Sequence, residues 1–116
     1  MPFDGTQNGG LLAVYMIDQM IEMFDGGKNW CGFGWGNGEG HTEKGTHCIV
    51  GAMMSIRASQ RIKGDRTSRY IRQALDEKAR RWCGIMQFND NVSYTHVHRV
   101  LLRARELAVA DQRTLV

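Results

Sequence analysis

Apolar residues recur at three- and four-residue spacing in four stretches of the chain, and each such stretch predicts a helix. The first runs over Leu11, Val14, Tyr15, Ile17, Met20, Ile21 and Phe24, with Asp18, Gln19 and Glu22 on its polar side. Asn8 is its candidate cap, and Asp25-Gly26-Gly27 is its stop, because glycine accepts the left-handed backbone at a helix end. A second helix is expected over about 47–62, capped by Thr46 or Gly45 and closed by Gly64-Asp65. A third starts near Thr67 or Ser68 and carries a stripe from Tyr70 and Ile71 through Trp82 to Met86, weakened at Gly84. Phe88-Asn89-Asp90-Asn91 reads as a turn, since Asn and Asp bond their own backbone. A fourth helix follows from about Ser93 to Ala110, with Val97, Val100, Leu101, Ala104, Leu107 and Ala108 inside. The expected fold is all-α, a compact bundle of about four helices. It forms one domain over residues 1–116, with 1–10 as a flexible leader.

One stretch breaks the pattern. Between residues 26 and 45 glycine stands at 26, 27, 32, 34, 36, 38, 40 and 45, a density that no regular element tolerates. Trp30, Phe33 and Trp35 lie among these glycines, and rings of that size bury against something. The segment is therefore expected to be a long Gly/aromatic loop between the first two helices. Trp30 and Cys48 anchor it, and Phe33 to His47 form its displayed part.

Charge adds an asymmetry. Residues 1–56 hold two Lys/Arg against six Asp/Glu, whereas residues 57–116 hold thirteen against six. Such a division suits an anionic partner for one face, or self-complementary assembly. Arg57 and Arg61 are one turn apart, Arg66, Arg69 and Arg72 follow at three-residue spacing, and Arg80, Arg81, Arg99 and Arg103 lie further on. Together they are the candidate nucleic-acid face, with Phe33 or Trp35 to stack a base. The competing reading is a solvated helix surface.

The longest apolar run, Leu11 to Ile17, is too short to span a bilayer, and the Met1 end lacks a basic region followed by an apolar one. Three cysteines without a CxxC pair form no disulfide framework, so the expected compartment is the cytoplasm.

Candidate chemistry is limited. A cysteine just inside a helix N-terminus feels the positive end of the helix dipole, which favours the thiolate. Cys48 holds that place in the second helix, with His96 or His98 available as base and Asn89 or Asp90 to orient it. Against this, small cysteines are commonly buried and inert. Cys48, His96 and Asn89 are thus catalytic candidates only. For zinc, Cys31, His41, His47, Cys48, Cys83, His96 and His98 are present, yet only His41 and His47 have ligand-like spacing, so no metal is assigned. The phosphate-loop patterns fail by position: Lys44-Gly45-Thr46 reverses the Gly-Lys order, and no third glycine completes a GxGxxG. No cofactor is assigned.

Trp30, Cys48-Ile49-Val50-Gly51-Ala52, Phe88-Asn89-Asp90, and Val97 with Leu101 and Ala104 together resemble a family of small bacterial and phage-associated proteins of unknown function. The resemblance spans about three-quarters of the chain and implies a small helical fold. It implies no reaction. The Gly32–Gly40 run is longer than that family's loop.

The reading that follows is a small cytoplasmic interaction protein, of phage or mobile-element type, that binds and inhibits a partner protein. Trp30, Phe33, Trp35, His41 and His47 are its candidate contact residues. The first helix is apolar nearly all round, which marks a contact face and allows a homodimer, or else places the helix at the centre of the bundle with both faces buried. A nucleic-acid-binding protein using Arg57, Arg61, Arg66, Arg69 and Arg72 is the alternative, and a cysteine-dependent enzyme using Cys48 is the second alternative.

Overall fold

The computed structural model describes residues 9–32, 46–77 and 82–114. Phe33, Trp35, His41, Arg80 and Arg81 lie outside the described residues, as does most of the proposed leader. The fold is all-α. Among the described residues five helices follow one another: α1 (Gly9–Phe24), α2 (Ile49–Gln60), α3 (Thr67–Asp76), α4 (Ile85–Asn91) and α5 (Tyr94–Thr114). A 3₁₀ turn, Asp25–Gly27, closes α1 where the sequence places its stop.

Helix α1 is the centre of the bundle. It lies most extensively against α5 and also packs on α2 and α3. Its apolar girth is consumed there: Leu12, Ala13, Met16, Ile17, Met20 and Phe24 are all buried. The helix that reads as a contact face is thus largely core, and Leu11 is its one large exposed apolar side chain among the described residues. Gly9 and Gly10, the last two residues of the expected leader, belong to α1.

Two boundaries differ from the periodicity reading. The third predicted helix is two helices, because α3 ends at Asp76 and Gly84 caps α4 in an extended conformation. Trp82 continues the apolar stripe without being helical: its ring packs edge-to-face on Phe88, with centroids 5.6 Å apart. The Phe88–Asn91 segment is the end of α4 rather than a turn. Burial of Ile85, Phe88 and Asn89 on one face outweighs the turn preference of its Asn and Asp residues.

Polar ties fix the helices against one another. Tyr70 donates its hydroxyl to Asp111 at 2.7 Å, joining α3 to α5. Arg105 pairs with Asp18 across α5 and α1. Tyr15 on α1 donates to Gln60 at the end of α2. Arg57 grips Asp65 with two bonds, 2.6 and 2.9 Å, closing the α2–α3 corner. Asp65 also accepts from the Thr67 amide, supplying the cap that the Arg66 side chain does not.

The turn after α1 gives a direct stability test. Gly27 has φ +102°, and a Cβ there would sit 3.0 Å from the Tyr94 ring, whereas Gly26 at φ +66° has open space around it. Both Ala substitutions strain the backbone, and only Gly27→Ala also presses on Tyr94. We expect Gly26→Ala to destabilise by about 1 kcal/mol and Gly27→Ala by about 2 kcal/mol or more. Urea unfolding of both variants measures the difference.

Candidate functional site

The base of the glycine-rich stretch is a small hydrogen-bonded frame. Phe24 accepts from the Asn29 amide, and the Asn29 side chain returns a bond to the Met23 carbonyl, so the chain leaving α1 is held close to it. Trp30 and His47 then form a parallel bridge. Cys31 donates its amide to the His47 carbonyl at 3.1 Å, and His47 donates to the Asn29 carbonyl at 2.8 Å. The chain therefore enters and leaves residues 33–45 at one place.

Asn89 locks this frame to the bundle. It is 1% exposed. Its Oδ1 accepts from the Trp30 indole Nε1 at 2.8 Å and from the Ile49 amide at 3.0 Å. Its Nδ2 donates to the Cys31 carbonyl at 3.1 Å. One amide thus joins α4, the outgoing end of the loop base and the first turn of α2. A buried side chain that satisfies three partners from two distant segments fixes geometry more than it adds net stability. Tyr94 completes the base, with the Phe24 ring at 5.7 Å, the Trp30 ring at 6.0 Å and the His98 ring stacked at 5.9 Å.

Two of the sequence-derived contact residues, Trp30 and His47, are therefore half-buried parts of the base. Trp30 and the Cys48-Ile49 pair are anchors, as the sequence expects.

Cys48 is not inside the helix but caps it. Its Sγ accepts from the Gly51 amide at 3.2 Å, as a serine cap would, and the residue is 2% exposed. The expected thiolate activation is corrected by this burial. Removal from water pushes the thiol above its ordinary value, the Gly51 amide pulls it partly back, and the neighbouring Cys31 raises it again. Asn89 and Cys48 meet through the Ile49 amide, but His96 is engaged elsewhere, its Nδ1 within 3.1 Å of the Ser93 hydroxyl on the exposed start of α5. The structure provides no Cys48–His96 hydrogen bond among the described residues. No three His, Cys, Asp or Glu side chains among them converge to hold a metal ion.

The thiols follow directly from these positions. Cys83 is exposed and Cys48 buried. Maleimide labelling at neutral pH should modify Cys83 first, with Cys48 slower by roughly 100-fold or more until the protein is unfolded. Mass spectrometry of a time course reads both rates.

No protein-family model, curated protein or solved structure matches this chain. The geometry alone therefore defines the candidate sites.

A second feature was not legible in the sequence. A groove of about 850 Å³ opens between the end of α3, α4 and the first half of α5. Leu75, Phe88 and Val100 are its buried floor, and half-buried Trp82 and Val92 are its walls. Its exposed rim is polar and includes Glu77, Asn91, His96 and Arg99. The signal that could have shown it is Trp82, a large ring two residues before Gly84, where the helical stripe weakens.

The proposed arginine face is divided. Arg57 is held by Asp65, and its guanidinium is strengthened as a cation by that bond. Arg66 is exposed beside Tyr70. Arg61, Arg69 and Arg72 are exposed and form no ion pair with a described residue. Arg103 is held by Glu77 and Glu106, which leaves Arg99 as the unpaired arginine on the groove rim among the described residues. Among the described residues no helix is long and apolar enough to cross a membrane.

Proposed function

We propose that the protein acts by binding a partner protein, with residues 33–45 as the segment presented to it. The observation that carries this reading is the frame below that segment. The Trp30–His47 bridge and the buried Asn89 amide hold its two ends to the bundle at one point. A scaffold that fixes a loop's base so firmly, while its sequence supplies glycine, Phe33, Trp35 and His41, has the make-up of a binding loop. Inhibition of the partner, a phage or mobile-element origin, a cytoplasmic setting and self-association belong to the same reading. The resemblance to small phage-associated proteins supports the origin and the cysteine pattern the setting, whereas self-association keeps only the exposed Leu11 of α1 in its favour.

The test replaces residues 33–45 by a Gly/Ser linker of equal length. The replaced protein should unfold at nearly the same urea concentration as the parent. In the native host it should lose the partners that the parent captures. A Phe33→Ala/Trp35→Ala chain should lose them too. Retention of the same partners by both variants would falsify this reading.

A second reading rests on Arg61, Arg69 and Arg72, whose charges no described carboxylate neutralises. Nucleic-acid binding through them predicts affinity for a duplex or single strand that falls steeply with added salt, and more gently in Arg69→Gln/Arg72→Gln. Affinity independent of salt removes it. A cysteine-dependent reaction at Cys48 is the least supported of the three, because burial keeps that thiol protonated.

A further inference from the structure

The groove between α3, α4 and α5 combines three properties. Its size falls within the roughly 300–1,000 Å³ of small-molecule sites. Its floor is apolar and includes an edge-to-face pair, Trp82 on Phe88, backed by Leu75 and Val100. Its rim carries unequal charge. Glu77 gives both carboxylate oxygens to Arg103, at 2.8 Å each, so the acid on the rim is already matched. Arg99 is exposed on the same rim and forms no ion pair with a described residue. An apolar floor beside an unmatched guanidinium is complementary to one kind of guest: a ring or branched alkyl body with an acid at one end.

We propose that this groove binds a small amphipathic organic anion, its apolar body lying on Trp82, Phe88 and Leu75 and its carboxylate or sulfonate paired with Arg99. The aromatic edge and the buried aliphatic floor offer contact area for an apolar guest. The guanidinium fork offers two parallel donors to one carboxylate, which a neutral analogue cannot use. His96, one turn before Val100 on the same rim, adds a polar neighbour for the acid end. The site is remote in sequence from the 33–45 segment and stands whether or not that segment binds a protein.

The experiment titrates the full chain with 4-phenylbutyrate, its neutral amide, and 8-anilinonaphthalene-1-sulfonate. Binding is followed by NMR shifts of the Trp82 indole and the Val92 and Val100 methyls, and by dye fluorescence. The acid is expected to saturate with Kd on the order of 0.1–1 mM, a normal affinity for about a dozen heavy atoms. The amide and the Arg99→Gln variant should each be weaker by about tenfold, the loss of one charge-assisted pair. Lys63→Gln, exposed between α2 and α3 and not on the groove, should bind as the parent does. Equal binding of acid and amide, or an unchanged Kd in Arg99→Gln, overturns the anion assignment. No saturable shift at the groove up to ~10 mM, well above that Kd range, overturns the site. Binding of an acidic, apolar peptide without binding of the free acids replaces the small-molecule guest by a protein segment, and overturns the proposal as stated.

Discussion

Replacing Asn89 by alanine should cost about 3–5 kcal/mol, the largest loss expected from any single exposed or buried polar change in this chain. Three partners lose their bond at once: the Trp30 indole, the Ile49 amide and the Cys31 carbonyl. Each is beside a buried site that water reaches poorly, and an orphaned donor or acceptor there is worth about 1–3 kcal/mol. Local consequences should be larger than the global one. Hydrogen exchange at the Cys31 and His47 amides should accelerate more than exchange at the centre of α1. Asn89→Asp separates hydrogen bonding from charge. It keeps the acceptor oxygens but places a carboxylate beside Asp90 in a buried site, so the introduced carboxyl's pKa must rise on folding. A raised pKa contributes stability that is present below the unfolded value and lost as pH rises through the folded one. The Asn89→Asp protein should thus be closest to the parent near pH 4 and fall away toward pH 7. Urea midpoints across that range read the trend, and a loss for Asn89→Ala below about 1 kcal/mol would show that the frame is not held by this amide.

The Arg57–Asp65 pair is expected to have the second-largest effect. Its two members are unequal. The Asp65 side chain is 2% exposed and that of Arg57 is 32% exposed. Removing the carboxylate leaves a cation that water can still reach. Removing the cation leaves a buried anion that water cannot. Arg57→Met should therefore destabilise by about 3 kcal/mol at pH 7, and Asp65→Asn by about 2 kcal/mol. Part of the second figure is the lost cap at Thr67. Burial alone would raise the Asp65 carboxyl, but the Arg57 bond and the Thr67 contacts outweigh it and hold it below the ordinary carboxylate range. With a depressed folded pKa, the pair's contribution is complete above the unfolded value and is lost as pH falls through the folded one. The gap between the parent and Asp65→Asn should accordingly be full at pH 6 and shrink below about pH 4. A gap that does not change with pH would mean the carboxylate acts only as a cap.

The helical class and most of the core follow from spacing alone, because α1, α2 and α5 carry unbroken 3.6-residue stripes and bury them. Where the reading of the chain erred, a local preference met a tertiary one. Phe88 to Asn91 has turn-forming residues, yet Phe88 and Asn89 are buried and the helix forms around them. Trp82 has helix-like spacing with Leu75 and Ile85, yet it lies outside both helices and reaches Phe88 from a connecting segment. The loop anchors were legible, since Trp30 and Cys48-Ile49 are apolar residues at the edges of a glycine run. Their partner was not. Asn89 lies 59 positions from Trp30 and 40 from Ile49, and a hydrogen bond at that separation leaves no periodic trace. The groove was equally hidden, because it is made of residues from three helices that carry no shared motif.

The joined base of the 33–45 segment has a consequence for how such a chain can vary. Entry and exit are side by side in the described frame, so a change of length between them need not move either end. Loop closure then changes by only about 0.6 kcal/mol for each doubling of loop length. Insertions, deletions and wholesale replacement between Gly32 and Thr46 should be nearly neutral for folding, while the same changes between Trp30 and Gly32 should not. The frame of Trp30, His47 and Asn89 thus belongs to the bundle, and what it holds together are the two points where the chain leaves residue 32 and returns at residue 46.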